Sequence, residues 1–384
     1  MLNSRMLGVA MLTLAAGALC SPSFGAGIYQ IIDVGGGFAE ATGVNNALQV
    51  TGTSGSGSFL WQNGTMTNLG NFGMDHSIAY DINDAGQIVG ICWSSGVPTD
   101  AFMWTDGNGS GTAEVGEWLH IGSFPGSTLP SARAFAVNSA GQVAGYGAVQ
   151  YGLTHGFVWS DLNDNGQSDA GEKIDLGTPG GDFCTPTDIN DAGVVAGYGE
   201  TASGADHGLV WDDRDGNGQS DAGEMLDLGL PNSYATAIGD DGTVAGYTGV
   251  PNQPFTWKDL DGDWEADQDE FVFLGTLGGL YARPHAVNKH GVVVGWSETG
   301  EFVEGDPVAH GWVYANGVMH DLNDLIPADS GWVIESADDI NDSGAIVGYG
   351  TGPDGQRHAF LLVPEPAMLL LLAGGGVVGL RRRR

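Results

Sequence analysis

The chain has 384 residues, including 66 Gly and 15 Pro, and its 42% hydrophobic content includes 11 Trp, 10 Tyr and 14 Phe. So much glycine and proline excludes a helical bundle, and so many aromatic residues exclude a disordered chain. Acidic residues outnumber basic ones by 47 to 12, which gives a net charge of −35. A body this acidic is repelled by phosphate backbones, which excludes nucleic acid as a partner and favours multivalent cations.

The first 25 residues have the three parts of a secretory signal peptide. Arg5 supplies a positive start, residues 6–19 are apolar, and Ser23 and Gly25 place small residues at −3 and −1 of a cleavage site. A lipoprotein signal at Cys20 is the weaker interpretation, because the preceding residue is a large leucine. We therefore expect a mature chain that begins at residue 26 and is secreted or held at the cell surface.

Residues 26–363 are predicted to form one repetitive domain. A phrase of Ile or Val, Asn, a turn with Gly, a few small apolar residues and a Gly–aromatic pair recurs, most clearly at 81–90 and 188–197. An apolar strand that usually ends in an aromatic residue follows each copy, and a further short strand follows six of them. A period near 50 residues with about four strands per unit is typical of a β-propeller. The closing glycines of the phrase are Gly52, Gly90, Gly145, Gly197, Gly246, Gly295 and Gly348.

These repeats predict an all-β, seven-bladed β-propeller, with an open β-solenoid as the alternative. The seventh unit lacks its last strand, and residues 28–35 have the pattern of a strand without a partner. We expect the N-terminal strand to complete the last blade and close the ring, which removes exposed sheet edges. The propeller is flanked by the signal peptide and by a short C-terminal apolar helix.

Acidic inserts of a dozen residues join the third and fourth strands of units 2 to 5. In units 1 and 6 the same strands are joined by Asn-Gly turns at 63–64 and 316–317, a strong hairpin signal. The inserts share the ligand spacing 1, 3, 5, 7, 9 and 12 of the twelve-residue EF-hand loop, which predicts Ca²⁺ as cofactor. The predicted ligands are Asp213, Asp215, Asn217, Gln219, Asp221 and Glu224; Asp161, Asn163, Asn165, Gln167, Asp169 and Glu172; Asp259, Asp261, Asp263, Glu265, Asp267 and Glu270; and Asp106, Asn108, Ser110, Thr112, Glu114 and Glu117.

The four inserts differ at the sixth position, where an EF-hand loop needs a sharp bend. Gly218 and Gly166 fit it, whereas Trp264 makes the bend costly and the geometry doubtful. Gly111 also fits, but its insert carries few charges near its start, so weaker affinity is expected. Because the flanks are strands, these loops are similar to those of integrin-type propellers and are not expected to open on binding. The alternative is that they are only acidic turns.

Histidines and tryptophans recur in the strands that follow each phrase. Histidine precedes the third-strand aromatic at 155, 207, 310 and 358, but units 2 and 5 have Asp100 and Gln253 there. These segments resemble the HAF family of extracellular bacterial repeats, and the resemblance implies no catalytic residues. The histidines either bond within their blades or line the channel as a metal ring. The recurring tryptophans are either core or a sugar-stacking ladder. They are Trp61, Trp104, Trp159, Trp211 and Trp257.

The tail at 364–384 has three parts: Pro364-Glu365-Pro366, an apolar run over 367–380, and four arginines. The apolar run is shorter than the roughly 20 residues of a stable membrane span. The segment resembles the PEP-CTERM sorting signal of secreted bacterial proteins. That resemblance implies an exosortase as partner, removal of the tail near Pro366, a transient inner-membrane anchor, and a Gram-negative host that makes extracellular polysaccharide. A plain C-terminal anchor is the alternative.

Two functions remain open from the sequence. The first is a non-enzymatic, calcium-binding surface protein for adhesion or assembly of an exopolysaccharide matrix, such as a biofilm, with polysaccharide or cell-surface proteins as partners. The second is an extracellular glycan hydrolase or lyase with its site in the propeller channel. No acid–base pair can be assigned, because nearly all clustered acids lie in the inserts. We therefore expect no catalytic residues and no bound organic cofactor.

Overall fold

The computed structural model describes residues 28–249 and 251–365, and its regular structure is β-strand apart from two 3₁₀ turns, Gln268–Glu270 and Leu322–Asp324. No helix in these described ranges is long and apolar enough to cross a membrane. Up to the middle of the chain the strands are β1 (Tyr29–Gly35), β2 (Glu40–Val44), β3 (Val50–Ser54), β4 (Gly57–Gln62), β5 (Thr65–Gly70), β6 (His76–Ile82), β7 (Ile88–Trp93), β8 (Asp100–Trp104), β9 (Trp118–His120), β10 (Ala132–Val137), β11 (Val143–Gln150), β12 (Leu153–Trp159), β13 (Lys173–Gly177) and β14 (Gly180–Ile189).

The second half of the chain continues the same pattern of short strands. They are β15 (Val195–Thr201), β16 (Asp206–Trp211), β17 (Met225–Pro231), β18 (Ser233–Ile238), β19 (Val244–Thr248), β20 (Gln253–Trp257), β21 (Phe271–Phe273), β22 (Ala282–Val287), β23 (Val293–Val303), β24 (Asp306–Ala315), β25 (Val318–Asp321), β26 (Val333–Ile340), β27 (Ile346–Thr351) and β28 (Arg357–Pro364).

The strands pair into antiparallel units of four that follow the sequence repeats. Units 1, 2, 5 and 6 are the sheets β2–β5, β6–β9, β18–β21 and β22–β25, and unit 7 is β26–β28 with β1. Units 3 (β10–β13) and 4 (β14–β17) form one eight-stranded sheet. The all-β propeller is confirmed, but the expectation of seven separate blades is corrected. Five blades are separate four-stranded sheets, and the third and fourth repeats are fused because the ten-residue β14 reaches β12 through one parallel pair, Thr154 with Phe183.

The N-terminal strand closes the ring as predicted. β1 pairs antiparallel with β28 from Tyr29 opposite Pro364 to Gly35 opposite Ala359. Tyr29 is 1% exposed and packs in one cluster with Phe360. The N-terminal strand thus takes the place of the fourth, outermost strand of unit 7 and covers the edge that β28 would otherwise expose.

The recurring asparagine of the phrase links each unit to the next. Its side-chain carbonyl accepts backbone N–H bonds of its own turn, and its amide donates to the carbonyl of the equivalent residue in the following unit. Asn45 Nδ2 donates to Asn83 O at 3.1 Å, and Asn341 Nδ2 donates to Asn45 O at 2.9 Å, so the series closes on itself. Unit 5 has Gly239 at this place, and its carbonyl still accepts from Asn190. The intervening donors are Asn83, Asn138 and Asn288.

The closing glycine of each phrase is required by close approach of two strands. A Cβ on Gly90 or Gly145 would lie 2.0 Å from the carbonyl oxygen of Ile78 or Arg133 on the adjacent first strand. A register shift in that first strand, for example between Ala134 and Ala136, brings the backbones together there. The glycine therefore marks where the two inner strands of each unit come closest.

The third-strand tryptophans belong to the core. Trp104 and Trp159 are fully buried, and Trp61, Trp211 and Trp257 are at most 7% exposed. Trp159 packs in one cluster with Val89 and Met103 of the preceding unit. The prediction of core packing between blades is confirmed, and a sugar-stacking ladder of these residues is wrong.

Candidate functional site

The four inserts lie on one face of the ring, together with the asparagine turns. In an antiparallel unit the connection between strands one and two and that between strands three and four leave the same end of the sheet. Gln49 of an asparagine turn donates to Gln62 beside the third-to-fourth turn of unit 1, and Lys258 of unit 5 contacts Asp241 at 2.7 Å. We call this side the insert face. The connections between second and third strands lie on the opposite face.

Insert 213 (Asp213–Glu224) is held by hydrogen bonds at its first and twelfth residues. The first carboxylate accepts the N–H groups of Asn217 and Gly218 at 3.1 and 2.9 Å. The twelfth carboxylate accepts the N–H groups of Arg214 and Asp221 at 3.1 and 2.7 Å. The backbone itself thus fixes both ends of the predicted ligand set.

Insert 161 (Asp161–Glu172) repeats this arrangement. Asp161 accepts the N–H groups of the fifth and sixth residues at 3.1 and 2.8 Å, and Glu172 accepts those of the second and ninth at 3.2 and 2.7 Å. The side-chain amides of Asn165 and Asn163 hydrogen-bond Asp169 and lower the pKa of that exposed carboxyl. The amide oxygens of these two asparagines would turn towards a cation if one were bound.

Insert 259 (Asp259–Glu270) accommodates tryptophan at its sixth position. Trp264 adopts φ 62°, in the left-handed region used by Gly166 and Gly218 at φ 69° and 72°. That conformation costs a non-glycine residue about 1–3 kcal/mol. The Trp264 ring packs against the core of unit 5 and lies under the Arg214 guanidinium at 5.1 Å. The bend is therefore present, but it carries a backbone cost that Gly166 and Gly218 do not.

Insert 106 (Asp106–Glu117) keeps the first-residue scaffold and the left-handed glycine. Asp106 accepts the N–H groups of Ser110 and Gly111 at 3.0 and 2.9 Å. Glu117 accepts one N–H, that of Glu114, and its Oε1 is buried with no hydrogen-bond partner in the described part of the chain. This insert is the least complete of the four, in line with its few charges.

Carboxylate oxygens converge in two of the inserts. One oxygen each from Asp213, Asp215 and Glu224 lie within 4.8 Å of one another, and so do those of Asp259, Asp261 and Asp263. Two oxygens that bind one Ca²⁺ at about 2.3–2.6 Å are at most about 5.2 Å apart, so both sets fit that ion. The twelfth residues Glu172, Glu224 and Glu270 are only 5–7% exposed. Burial of a carboxylate without an oppositely charged partner is costly, and a bound cation would relieve that cost.

Three aspartates that the sequence analysis did not single out line the central channel. Asp81, Asp188 and Asp339 each precede the Ile-Asn of the phrase, and all three face the same cavity. Each accepts the N–H of its own following residue and one from the next unit. Asp188, for example, binds Ile189 N at 2.8 Å and Ile238 N at 2.7 Å. Asp81 and Asp339 bind in the same way.

Burial raises the pKa of all three channel carboxyls, against the backbone hydrogen bonds that lower it. The pKa of Asp81 rises to about 6 and that of Asp188 to about 7, and the pKa of Asp339 is well above its usual value. Mutual repulsion adds to the effect, because Asp81 raises the pKa of both Asp188 and Asp339. The sequence signal was the tripeptide Asp-Ile-Asn, which occurs in three of the repeats. The other repeats have Ala or Gly at the position of the aspartate.

The strand histidines form pairs with aspartates on neighbouring strands. His155 Nδ1 lies 2.8 Å from Asp175, His207 lies 2.7 Å from Asp227, and His310 lies 2.6 Å from Asp321. His358 of β28 contacts Asp33 of β1 at 3.0 Å, so this pair links the N-terminal strand to the neighbouring strand of unit 7. The predicted bonds within blades are confirmed. A metal ring of these histidines is wrong, because none of them lines the channel cavity.

Unit 2 has the same pair with its ends exchanged. Asp100 stands on the third strand where the other units have histidine, and His120 stands on the fourth, with 3.4 Å between the ring and the carboxylate. Asp100 also accepts Gly122 N at 3.1 Å, just as Asp175 accepts Gly177 N in unit 3. The hydrogen bond to Asp100 raises the pKa of His120, against desolvation. The apparent absence of histidine in unit 2 is therefore an exchange of partners.

The predicted leader at 1–25 and the tail after Glu365 lie outside the described residues. The last described residue, Glu365, donates its N–H to Ile28 O at 2.9 Å. The propeller therefore extends to the start of the Pro-Glu-Pro segment, and β28 ends at Pro364, one residue past the predicted boundary.

Comparison with solved structures gives low-identity resemblances to β-propellers. A SapL1 lectin in complex with alpha methyl fucoside is 15% identical, with TM-score 0.39 over 79% of this chain and 97% of that one. The six-bladed fungal lectin of Aleuria aurantia is 10% identical, with TM-score 0.34 over 88% and 96%. Trypanosoma rangeli sialidase is 10% identical, with TM-score 0.41 over 81% of this chain and 56% of that one. At these values the likenesses carry no argument about function.

A search of curated proteins finds no match. Residues 154–353, slightly more than half of the chain, match one protein family. The matched segment starts in the third strand of unit 3 and ends just before the last strand of unit 7, so it contains inserts 161, 213 and 259. On that match the chain belongs to the family described as Protein of unknown function (DUF3466).

Proposed function

We propose that the protein is a non-enzymatic, calcium-stabilised binding module of the cell surface or extracellular matrix. The observation that carries the proposal is the backbone scaffold shared by the inserts, which fixes the first carboxylate in all four and the twelfth in three. Donor sets made only of oxygen favour Ca²⁺ over softer metals. Inserts 213 and 161 are proposed as the tighter sites, and inserts 259 and 106 as the weaker ones.

Bound calcium would also reduce the electrostatic repulsion among the acidic residues of the chain. At −35 the molecule repels itself, and the inserts concentrate that charge on one face. Each bound ion removes two negative charges from the place where they are most crowded. A calcium-loaded insert face is therefore proposed to be rigid and stable rather than a switch that opens.

The extracellular setting is proposed from the sequence alone. The signal peptide would export the chain, and an exosortase would recognise the PEP-CTERM-like tail and remove it. The HAF-like repeats fit a protein of the extracellular matrix. In that setting millimolar calcium is available, which suits moderate-affinity loops.

The test is a calorimetric titration of the full chain with calcium, combined with thermal melting in calcium and in chelator. The proposal expects two or more ions to bind and the melting temperature to rise with calcium. Magnesium at the same concentration should be a poor substitute, because it demands a tighter octahedral site. No calcium binding would reduce the inserts to acidic turns and overturn the proposal.

A second candidate is a glycan-active enzyme with its site in the channel. The raised pKa values of Asp81 and Asp188 favour it, since a general acid needs a carboxyl that stays protonated near neutral pH. Against it, both oxygens of each channel aspartate already accept backbone N–H groups. Release of reducing ends from extracellular polysaccharide, abolished by Asp188→Asn, would support this candidate. No turnover on a broad polysaccharide panel would exclude it.

A further inference from the structure

The aromatic residue after each closing glycine forms a second feature of the ring, away from the inserts. Five successive units carry a half-buried ring at this place on the second strand. We call this set the aromatic mouth. It consists of Tyr146, Tyr198, Tyr247, Trp296 and Tyr349. Tyr146 pairs with Arg133, which lies near the start of the first strand of its unit, and the asparagine turn follows the other end of that strand. The aromatic mouth therefore lies towards the face opposite the inserts.

Further aromatic residues contact three members of the aromatic mouth. Tyr234 lies between Tyr198 and Tyr247, with ring centroids 4.9 and 5.0 Å away. Phe135 lies 5.8 Å from Tyr146 and 5.2 Å from Tyr80 of the preceding unit. The rings therefore form two separate aromatic groups, and none of them is fully buried, so their faces are partly open to solvent.

Trp296 and Tyr349 line one open cavity of about 440 Å³ between units 6 and 7, together with Glu335 and Pro307. That volume is within the roughly 300–1,000 Å³ of small-molecule sites, which typically combine aromatic walls with a few polar groups. The Glu335 carboxylate of this cavity accepts a hydrogen bond from the Thr351 hydroxyl at 2.6 Å.

Basic and acidic side chains meet at the aromatic mouth. Three guanidiniums lie over its rings: Arg133 at 6.0 Å from the Tyr146 centroid, Arg283 at 4.6 Å from that of Tyr247, and Arg357 at 3.5 Å from that of Tyr349. Carboxylates accompany them. Glu40 pairs with Arg357 at 3.0 Å, Asp206 accepts the Tyr234 hydroxyl at 2.9 Å, and Glu335 lines the cavity. Asp338 also acts on Tyr349 and pairs with His285 at 2.8 Å.

We propose that the aromatic mouth binds an uncharged saccharide chain. Sugar rings present apolar C–H faces that pack on aromatic rings, and their hydroxyls both donate and accept hydrogen bonds. Carboxylates accept from such hydroxyls and guanidiniums donate to them, whereas an acidic saccharide would be repelled by a chain of −35. The proposal supplies the partner of the proposed surface module, and its binding does not depend on calcium.

The test measures binding of the full chain to hexasaccharides by calorimetry and by tryptophan fluorescence. The panel contains linear glucose, mannose and N-acetylglucosamine hexasaccharides, with a galacturonate hexasaccharide as the acidic member. We expect at least one neutral member to bind and the acidic one to bind at least tenfold more weakly. Trp296→Ala and Arg283→Gln should each weaken binding of the neutral member severalfold or more, and Trp296→Phe should largely restore it.

Tyr151→Ala is the matched control, because Tyr151 is 87% exposed on a second-to-third-strand hairpin outside the aromatic mouth. It should leave binding unchanged. Melting in calcium checks that each variant is folded, and Arg283 is exposed enough that its replacement should not unfold the chain. Binding of none of the neutral members, equal binding by all variants, or preference for galacturonate would overturn the proposal. Repeating the titration in chelator separates it from the calcium proposal, since saccharide binding by the folded chain should persist there.

Discussion

The two faces of the ring are built from the same repeats but have opposite chemistry. The insert face carries acidic loops on the third-to-fourth connections, with carboxylates that converge within 4.8 Å. The opposite side carries rings and guanidiniums on the inner strands, with contacts such as Arg283 over Tyr247 at 4.6 Å. A repeat architecture can thus separate a stabilising function from a binding function by placing each at a different end of the same strands. The proposals assign cations to one face and a neutral ligand to the other.

Removal of calcium is expected to have the largest effect, and it should act on the insert face. Ligand binding to the folded state alone stabilises by about 2.7 kcal/mol per site at a hundredfold excess over Kd. Chelation should therefore cause the largest loss of stability, several kcal/mol for two or more sites. Melting followed by circular dichroism in calcium and in chelator measures it. A melting temperature that does not move would mean that the insert face is not a stabilising element.

A smaller effect is expected when one ligand of insert 213 is changed. Glu224→Gln replaces one buried carboxylate oxygen with an NH2 group that would face the backbone N–H of either Arg214 or Asp221, while the remaining oxygen keeps the other bond. A buried donor that faces another donor lowers the free energy of unfolding by roughly 1–3 kcal/mol. We expect one calcium site fewer by calorimetry and a lower melting temperature.

Glu117→Gln in insert 106 is the matched comparison for Glu224→Gln. Glu117 is only half-buried and accepts one backbone N–H, so this change should cost less. Saccharide binding should be unaffected by either variant. Equal losses in the two inserts would contradict the ranking of the sites.

The channel between the two faces gives a pH dependence of its own. Since burial raises the pKa of Asp188 to about 7, the folded state holds more protons than the unfolded state between about pH 4 and 7. Stability contributed by this group is therefore present at low pH and is lost as the pH rises through about 7. Because the cavity is open to water, the expected size is only about 1–2 kcal/mol.

Urea unfolding in chelator at pH 5 and pH 8 measures this effect without interference from the inserts. Asp188→Asn should reduce the difference between the two pH values but not abolish it, because Asp81 and Asp339 also have raised pKa values. Asp191→Asn, on the exposed turn nearby, is the control and should leave the slope as it is. A wild-type chain that is more stable at pH 8 than at pH 5 under these conditions would contradict the assignment.

The smallest expected effect concerns the exchanged pair of unit 2. Asp100→His or His120→Asp alone should each cost about 0.5–1.5 kcal/mol, because one hydrogen bond is lost and like groups then face each other. The double variant restores the order found in unit 3 and should recover most of that loss. A double-mutant cycle by urea unfolding measures the coupling, and additive losses would show that the pair makes no net contribution.

Much of this molecule could be predicted from sequence because its signals are repeated. The Asn-turn-Gly phrase predicts the inner strands, and the orphan strand at 28–35 predicts the closure seen between β1 and β28. Of the ligands predicted by spacing in insert 213, the carboxylates of Asp213, Asp215 and Glu224 converge, whereas that of Asp221 is not in the group. The fusion of units 3 and 4 could not be predicted, because it depends on one contact, Thr154 with Phe183, that only the packed sheets create.

The functional residues that the sequence did not reveal were missed for one physical reason: their contacts cross from one strand or unit to another. Asp81, Asp188 and Asp339 matter because each accepts a backbone N–H group of the next unit, from Val137, Ile238 and Val44 respectively. Nothing in a single repeat reveals that relation, and the other units have Ala or Gly there. The exchange of Asp100 and His120 was hidden for the same reason, since it is visible only across two paired strands.

The most direct test of the central claim is a crystal structure of the full chain grown in millimolar calcium, with anomalous data to identify the ions. The account predicts an ion in inserts 213 and 161, with ligand oxygens at about 2.3–2.6 Å, including both oxygens of Glu224 and Glu172. Inserts 259 and 106 should be occupied more weakly. Four inserts without ions at that calcium concentration, or calcium bound only in the central channel, would contradict it.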